Sequence, residues 1–350
     1  MGCELRCHID GVRGSIILPF GLGETLCVLE AALAPAGYSL LADSFKKERL
    51  VRATSIFALG AMIGAGIAFL VGGMVMDYAA NAPTAPFGLD GLQPWQFTFI
   101  VIGLPGFLVA ILVMMIKEPP RQGMGKAVPL TFRAAFAYLW ERRRDYAPLY
   151  FAATLMAVLS YGGLTWFATH LIRTYGLTPG QVGLVLGFCH LVGPILGTFL
   201  GAGMTERFMA RGHRDAPLRT IMIIALFAAL TYVAPLMPTL GLTAAVWFVS
   251  VIFQNAYYGN VLATLQMITP NQLRATNSAM LTLVVSMGGL GFGSAMIGGI
   301  SDLFFAQNPR GIGYAMTIVG VTFGLLASLV AARGRASLTS AMERFDRDNT

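Results

Sequence analysis

Apolar residues run along this chain in blocks of about twenty, and twenty residues of helix rising 1.5 Å each cross a hydrocarbon core about 30 Å thick. Nine such blocks are predicted, near 16–42, 54–77, 96–116, 148–171, 181–204, 217–237, 242–266, 277–300 and 312–332. Most are rich in Gly, Ala and Ser, which let helix backbones approach closely where lipid gives no hydrophobic drive for association. The pattern predicts an all-α membrane protein, a packed bundle with nine transmembrane helices.

The polar gaps between blocks alternate in charge. Twenty of the 24 Lys and Arg fall in every second gap and in the C-terminal tail: Lys46 to Arg52, Lys117 to Arg144, Arg207 to Arg219, Arg274, and Arg333 to Arg347. The intervening gaps hold only Arg173 and Arg310. The positive-inside bias therefore predicts a cytoplasmic C-terminus. With nine spans, the tail 1–15 must then lie outside, although its Glu4, Arg6, His8, Asp10 and Arg13 resemble no secretory signal. An odd number of missing preceding spans would remove that conflict.

Composition agrees with the pattern. Of 350 residues, 56% are hydrophobic and 12% charged, with a mean hydropathy of +0.68, whereas soluble domains carry about 25% charge. An ordinary cytosolic enzyme is excluded. A net charge of +7 is what basic cytoplasmic loops produce, so it does not indicate nucleic acid. The cysteines Cys3, Cys7, Cys27 and Cys189 have no paired spacing, so no disulfide framework, metal site or cofactor is expected.

A repeat sets the expected architecture. Arg52-Ala53-Thr54 and Arg274-Ala275-Thr276 each open a Gly-rich span at a basic gap, and both spans close on Gly-Gly followed by an acid, Asp77 or Asp302. Six spans separate the two, as in transporters built from parallel halves of six. The predicted organisation is a tail at 1–15, a partial three-helix bundle at 16–117, and a cytoplasmic linker with an amphipathic helix at 118–147. A six-helix bundle at 148–333 and a cytoplasmic tail at 334–350 complete it.

Two segments carry a family resemblance. Glu30-Ala31-Ala32-Leu33-Ala34-Pro35-Ala36-Gly37-Tyr38 through Asp43 and Pro94-Trp95-Gln96-Phe97 through Pro105-Gly106, followed by Glu118-Pro119-Pro120-Arg121, resemble the fourth and sixth helices of major facilitator superfamily transporters, in the Spinster-like branch. Gly201-x-Gly203-Met204-x-Glu206-Arg207-x-x-x-Arg211 resembles the weaker copy of that superfamily's cytoplasmic loop motif, with Glu in place of Asp. The resemblance implies a major facilitator-type helical bundle in which this chain supplies helices four to twelve. A truncated or frame-shifted gene start would account for the missing three. It also implies a latch in which Glu206 and Arg207, with Arg211, meet the Arg52 end of the other half; the alternative is a merely basic loop.

Intramembrane polar groups are costly and point to function. Glu30 lies mid-span, and in the resemblance it is the candidate proton carrier; a packing acid is the other reading. Gln254, Asn255, Tyr258 and Asn260, with Tyr161 and Trp166, are candidate cavity-lining residues, against simple interhelical hydrogen bonding. Tyr161-Gly162-Gly163 permits a bend that gates a path, or plain close packing. His190 and His170 read as core residues rather than ligands. The implied function is a secondary transporter in the cell membrane that moves a small organic or lipid-like solute by alternating access, coupled to protons. A non-transporting fragment is the alternative. No nucleotide-binding loop and no hydrolytic constellation occurs.

Overall fold

A computed structural model describes residues 47–81, 93–115, 132–270 and 273–349. Among them the helices run, in order, α1 Lys47–Asn81, α2 Pro94–Met114, α3 Phe132–Glu141, α4 Arg143–Tyr175, α5 Pro179–Ala210, α6 Ala216–Thr231, α7 Leu240–Asn255, α8 Tyr258–Ile268, α9 Arg274–Ser286, α10 Ser294–Phe304 and α11 Gly311–Asn349. Eight segments are long and apolar enough to cross a membrane, and they coincide with the predicted spans from 54–77 onward. The ninth predicted span, 16–42, lies outside the described residues.

The chain divides into two compact units, Met1–Gly60 with Val109–Lys126, and Ala61–Leu108 with Ala127–Thr350. In the first unit the described helical residues are the start of α1 and the end of α2; on the latter Val109, Ile111, Leu112, Val113 and Met114 are all exposed. A surface of that kind suits lipid rather than water.

The second unit packs around α4. Phe167 of α4 stacks on Trp247 of α7, ring centroids 3.8 Å apart, and Tyr232 meets the indole edge-on at 5.5 Å. The Tyr232 hydroxyl donates to the Leu159 carbonyl at 2.8 Å, so this aromatic core has its buried oxygen satisfied. Outward, Phe99, Phe107, Phe151, Phe199, Leu230 and Phe292 are exposed, an inside-out distribution that only a hydrocarbon surround tolerates. Glycines bring helices together where a Cβ would not fit: a Cβ on Gly183 of α5 would lie 2.5 Å from the Phe69 carbonyl oxygen and 3.0 Å from the Gly73 Cα of α1. Asp77, at the end of α1, accepts a 2.7 Å hydrogen bond from Thr178, which caps α5 with Gln181 in a reciprocal box.

Three expectations about the spans change. The span 242–266 is two helices, α7 and α8, interrupted at Ala256 and Tyr257. The span 277–300 is α9, a π-helical segment Met287–Gly293, and α10, the wide turn falling where four of seven residues are glycine. By contrast α4 runs unbroken through Gly162 and Gly163, whose Cβ positions would strike Ile297, the Trp247 ring and the Tyr232 hydroxyl; the paired glycines serve packing here, not a bend. The stretch expected as a tail continues α11 to Asn349.

Candidate functional site

Where α7 breaks, a cavity of about 410 Å³ opens among α4, α5, α7, α8 and α9. Tyr161 and Ser160 face it from α4, His190 and Thr198 from α5, Gln254 and Asn255 from the last turn of α7, Tyr257 and Tyr258 from the break, and Thr282 and Ser286 from α9. Among the described residues no Asp, Glu, Lys or Arg lines it. Its chemistry is that of hydroxyls, amides, one imidazole and tyrosine faces.

The break itself supplies part of the wall. Asn255 donates back to the Val251 carbonyl at 2.8 Å, and Ser160 of α4 donates to the Gln254 carbonyl at 3.1 Å. Irregular backbone at membrane depth is tolerated when it lines a cavity and neighbouring side chains satisfy it. Gln254 is buried, and its amide nitrogen donates to the Ser250 hydroxyl at 2.9 Å. The Tyr258 and Thr282 hydroxyls share a 3.1 Å hydrogen bond across to α9. His190 Nδ1 lies 3.0 Å from the Leu186 carbonyl, which can only accept, so Nδ1 carries the proton and, in a neutral ring, Nε2 is an acceptor. Phe69 of α1 covers the imidazole at 5.1 Å.

Four of the six residues expected at a cavity are therefore together: Tyr161, Gln254, Asn255 and Tyr258. Trp166 and Asn260 are elsewhere. The Trp166 indole donates to the Ser294 carbonyl at 2.8 Å and ties α4 to α10. Asn260 is buried against α5 and donates to the Ala256 carbonyl at 3.1 Å, capping a carbonyl that the break leaves open. His190 reverses the expectation of a core residue, since it faces the cavity, whereas His170 is fully buried. Polarity within an apolar span was the available signal for His190.

The loop residues behave differently from one another. Gly201 is buried, and a Cβ there would collide with the Ala256 carbonyl, whereas Gly203 faces open space. Glu206, Arg207 and Arg211 are exposed at the end of α5. Arg52, the expected partner, has its side chain outside the described set, and Glu30 also lies outside the described residues. At this same basic end, ion pairs that the sequence did not suggest join α6 and α4 to α11. Asp215 receives Arg335 and, at 3.4 Å, Arg219, while Arg344 meets Asp145 at 2.6 Å. Burial pushes the Asp215 carboxyl up, but the guanidinium groups of Arg335 and Arg219 outweigh it and hold the group below its ordinary value. Among the described residues no cluster of three His, Cys, Asp or Glu could hold a metal.

A sequence model of the Major Facilitator Superfamily matches residues 27–291, well over half the chain. The chain belongs to the Major Facilitator Superfamily. That family consists of multi-pass membrane transporters, not enzymes. Similar proteins within it include an MFS-type efflux pump of Mycolicibacterium smegmatis, 20% identical over 303 residues, and a bicyclomycin resistance protein homolog of Haemophilus influenzae, 26% identical over 210 residues. These alignments cover 86% and 58% of this chain, but only 67% and 46% of those proteins. The fold matches a bacterial homolog of the human lysosomal transporter Spinster, solved inward-facing and unoccupied, with a TM-score of 0.67 and 22% identity over 90% of this chain and 75% of that one. The occupied inward-facing form of that homolog gives 0.62 over 89% and 72%, again at 22% identity.

Proposed function

We propose that this Major Facilitator Superfamily chain is a Spinster-like secondary transporter that moves a small organic or lipid-like solute across the cell membrane by alternating access. The observation that carries the reading is the cavity at the α7–α8 break, which presents Tyr161, His190, Gln254, Asn255 and Tyr258 at the middle of membrane-spanning helices. A solute with an uncharged polar group fits it best. The amides and hydroxyls offer donors and acceptors, the tyrosine faces offer apolar contact, and no described carboxylate or guanidinium is present to neutralise a fixed charge.

Coupling runs through protons on Glu30, the intramembrane acid of the sequence. The 16–117 and 148–333 bundles rock about the cavity, with Glu206, Arg207 and Arg211 latching against the Arg52 end on the cytoplasmic side, where the C-terminus also lies. The names of the relatives, an efflux pump and a bicyclomycin resistance protein homolog, support organic solutes as a class.

The test is uptake of a panel of radiolabelled neutral amphiphiles into proteoliposomes under an imposed pH gradient. Uptake above empty liposomes is expected. Gln254→Leu should lower apparent affinity roughly five- to tenfold, the worth of one net hydrogen bond of about 1 kcal/mol. Glu30→Gln should abolish gradient-driven uptake while leaving exchange intact. Gradient-driven uptake unchanged in Glu30→Gln would remove proton coupling there, and no uptake of any solute would remove the transport reading.

A further inference from the structure

Away from the central cavity, two pockets adjoin at the basic end of the bundle and share Arg143. One, of about 320 Å³, is an apolar groove between α3, α4 and α9, walled by Leu139, Trp140, Tyr150, Phe151, Met280 and Val284. The other, of about 270 Å³, gathers the side chains of Arg142, Arg143, Arg144 and Arg344 with Glu141 and Asp145. Asp145 is already taken by Arg344 at 2.6 Å, which leaves three arginines beside one carboxylate.

The hinge between the pockets is ordered. Arg143 donates to the Trp140 carbonyl at 3.1 Å and holds its guanidinium 5.7 Å from the indole centroid, while Phe136 stacks with Trp140 at 6.1 Å. Arg142 lies over the Tyr138 ring at 4.8 Å. Trp140 and Phe151 are each more than 60% exposed, so the groove opens on the outer surface of membrane-spanning helices and its occupant arrives from the bilayer. An apolar slot ending at a guanidinium cluster, with an exposed tryptophan at the junction, matches an acyl chain joined to an anionic headgroup.

We infer that the α3–α4–α9 groove and the adjoining arginine pocket form one binding site for an anionic phospholipid of the membrane leaflet on the basic side. An acyl chain fills the groove between Phe151 and Met280, and the phosphate meets Arg143 and Arg144. The lipid then ties the linker helix α3 to the first turns of α4. This site is separate from the solute cavity and stands whether or not the chain transports anything.

The full chain is reconstituted in phosphatidylcholine nanodiscs that contain a small fraction of either dibrominated-acyl phosphatidylglycerol or dibrominated-acyl phosphatidylcholine, and tryptophan fluorescence is read. The brominated phosphatidylglycerol should quench in excess of the brominated phosphatidylcholine, with an apparent preference of roughly fivefold for each arginine that faces the headgroup. Trp140→Phe should remove the excess signal. The triple change Arg142→Gln, Arg143→Gln, Arg144→Gln should remove the preference, and Ala147→Phe, which fills the groove with every charge retained, should remove it equally. Val284→Phe occludes the groove from the α9 side without adding an indole and keeps the test valid where Ala147→Phe does not fold. Equal quenching by the two lipids overturns the proposal. So does a preference that survives both occluding variants, which would mean surface charge alone, or quenching by neither lipid at Trp140, as when a second copy covers the groove.

Discussion

Gly183→Ala isolates the close approach of α5 to α1. The added Cβ would stand 2.5 Å from the Phe69 carbonyl oxygen and 3.0 Å from the Gly73 Cα, where ordinary contact begins at 3.4 Å. Both neighbours are backbone, so no side chain can swing aside and the helices must separate by about 1 Å. Overpacking of this kind costs about 1–3 kcal/mol. Gly203 lies on the same helix with nothing within 4 Å of its Cβ position, so Gly203→Ala meets no obstacle and should gain up to about 1 kcal/mol from helix propensity. The two substitutions are chemically identical and differ only in what they face. Heating each purified variant in detergent, with monodispersity followed by fluorescence-detected size exclusion, should place Gly183→Ala several degrees below the parent and Gly203→Ala at or above it. Equal midpoints for the two would refute the claim that glycine at 183 is required by α1.

Two further outcomes follow from the ion pairs and the aromatic core. Asp215 titrates below its ordinary value of 3.8 when folded, so its pairing with Arg335 contributes full stability above that pH and is lost as pH falls through the lower folded value. Acid titration of the melting midpoint should show a drop below about pH 4, and Asp215→Asn should lower the midpoint at neutral pH while flattening that drop; an unchanged acid limb would discount the pair. Trp247 is fully buried on Phe167, yet its indole N–H has no hydrogen-bond partner among the described residues. Trp247→Ala should therefore cost about 3–5 kcal/mol through the cavity it leaves, and Trp247→Phe much less, since no hydrogen bond is lost; similar losses from the two would assign a role to the N–H.

Hydropathy located the described spans because twenty apolar residues in a row is a signal that depends on no partner. Breaks in those spans were not legible. Tyr257 and Gly288 are compatible with a continuous helix, and only the packing of α4 and the hydrogen bonds of Ser160 and Asn255 distinguish the interrupted form. Cavity candidates were readable as polar residues in apolar blocks, but not which of them converge. Helical phase explains part of the failure: Trp166 is five residues after Tyr161, about 140° around α4, so the two cannot face one space. Asn260 is two residues after Tyr258, about 200° around α8, and turns into α5. Asp215 and Arg335 are 120 residues apart, beyond any local pattern. Gly201 and Gly203 look alike in sequence, and only the Ala256 carbonyl tells them apart.

The interruption between α7 and α8 makes part of the cavity wall from peptide groups, such as the Gln254 carbonyl held by Ser160. A carbonyl cannot be mutated away. Under the proposed transport function, substitutions at Gln254, Asn255 or Tyr258 would redraw which solutes are accepted while this peptide oxygen stays in the wall, so selectivity would drift without the pocket having to be rebuilt.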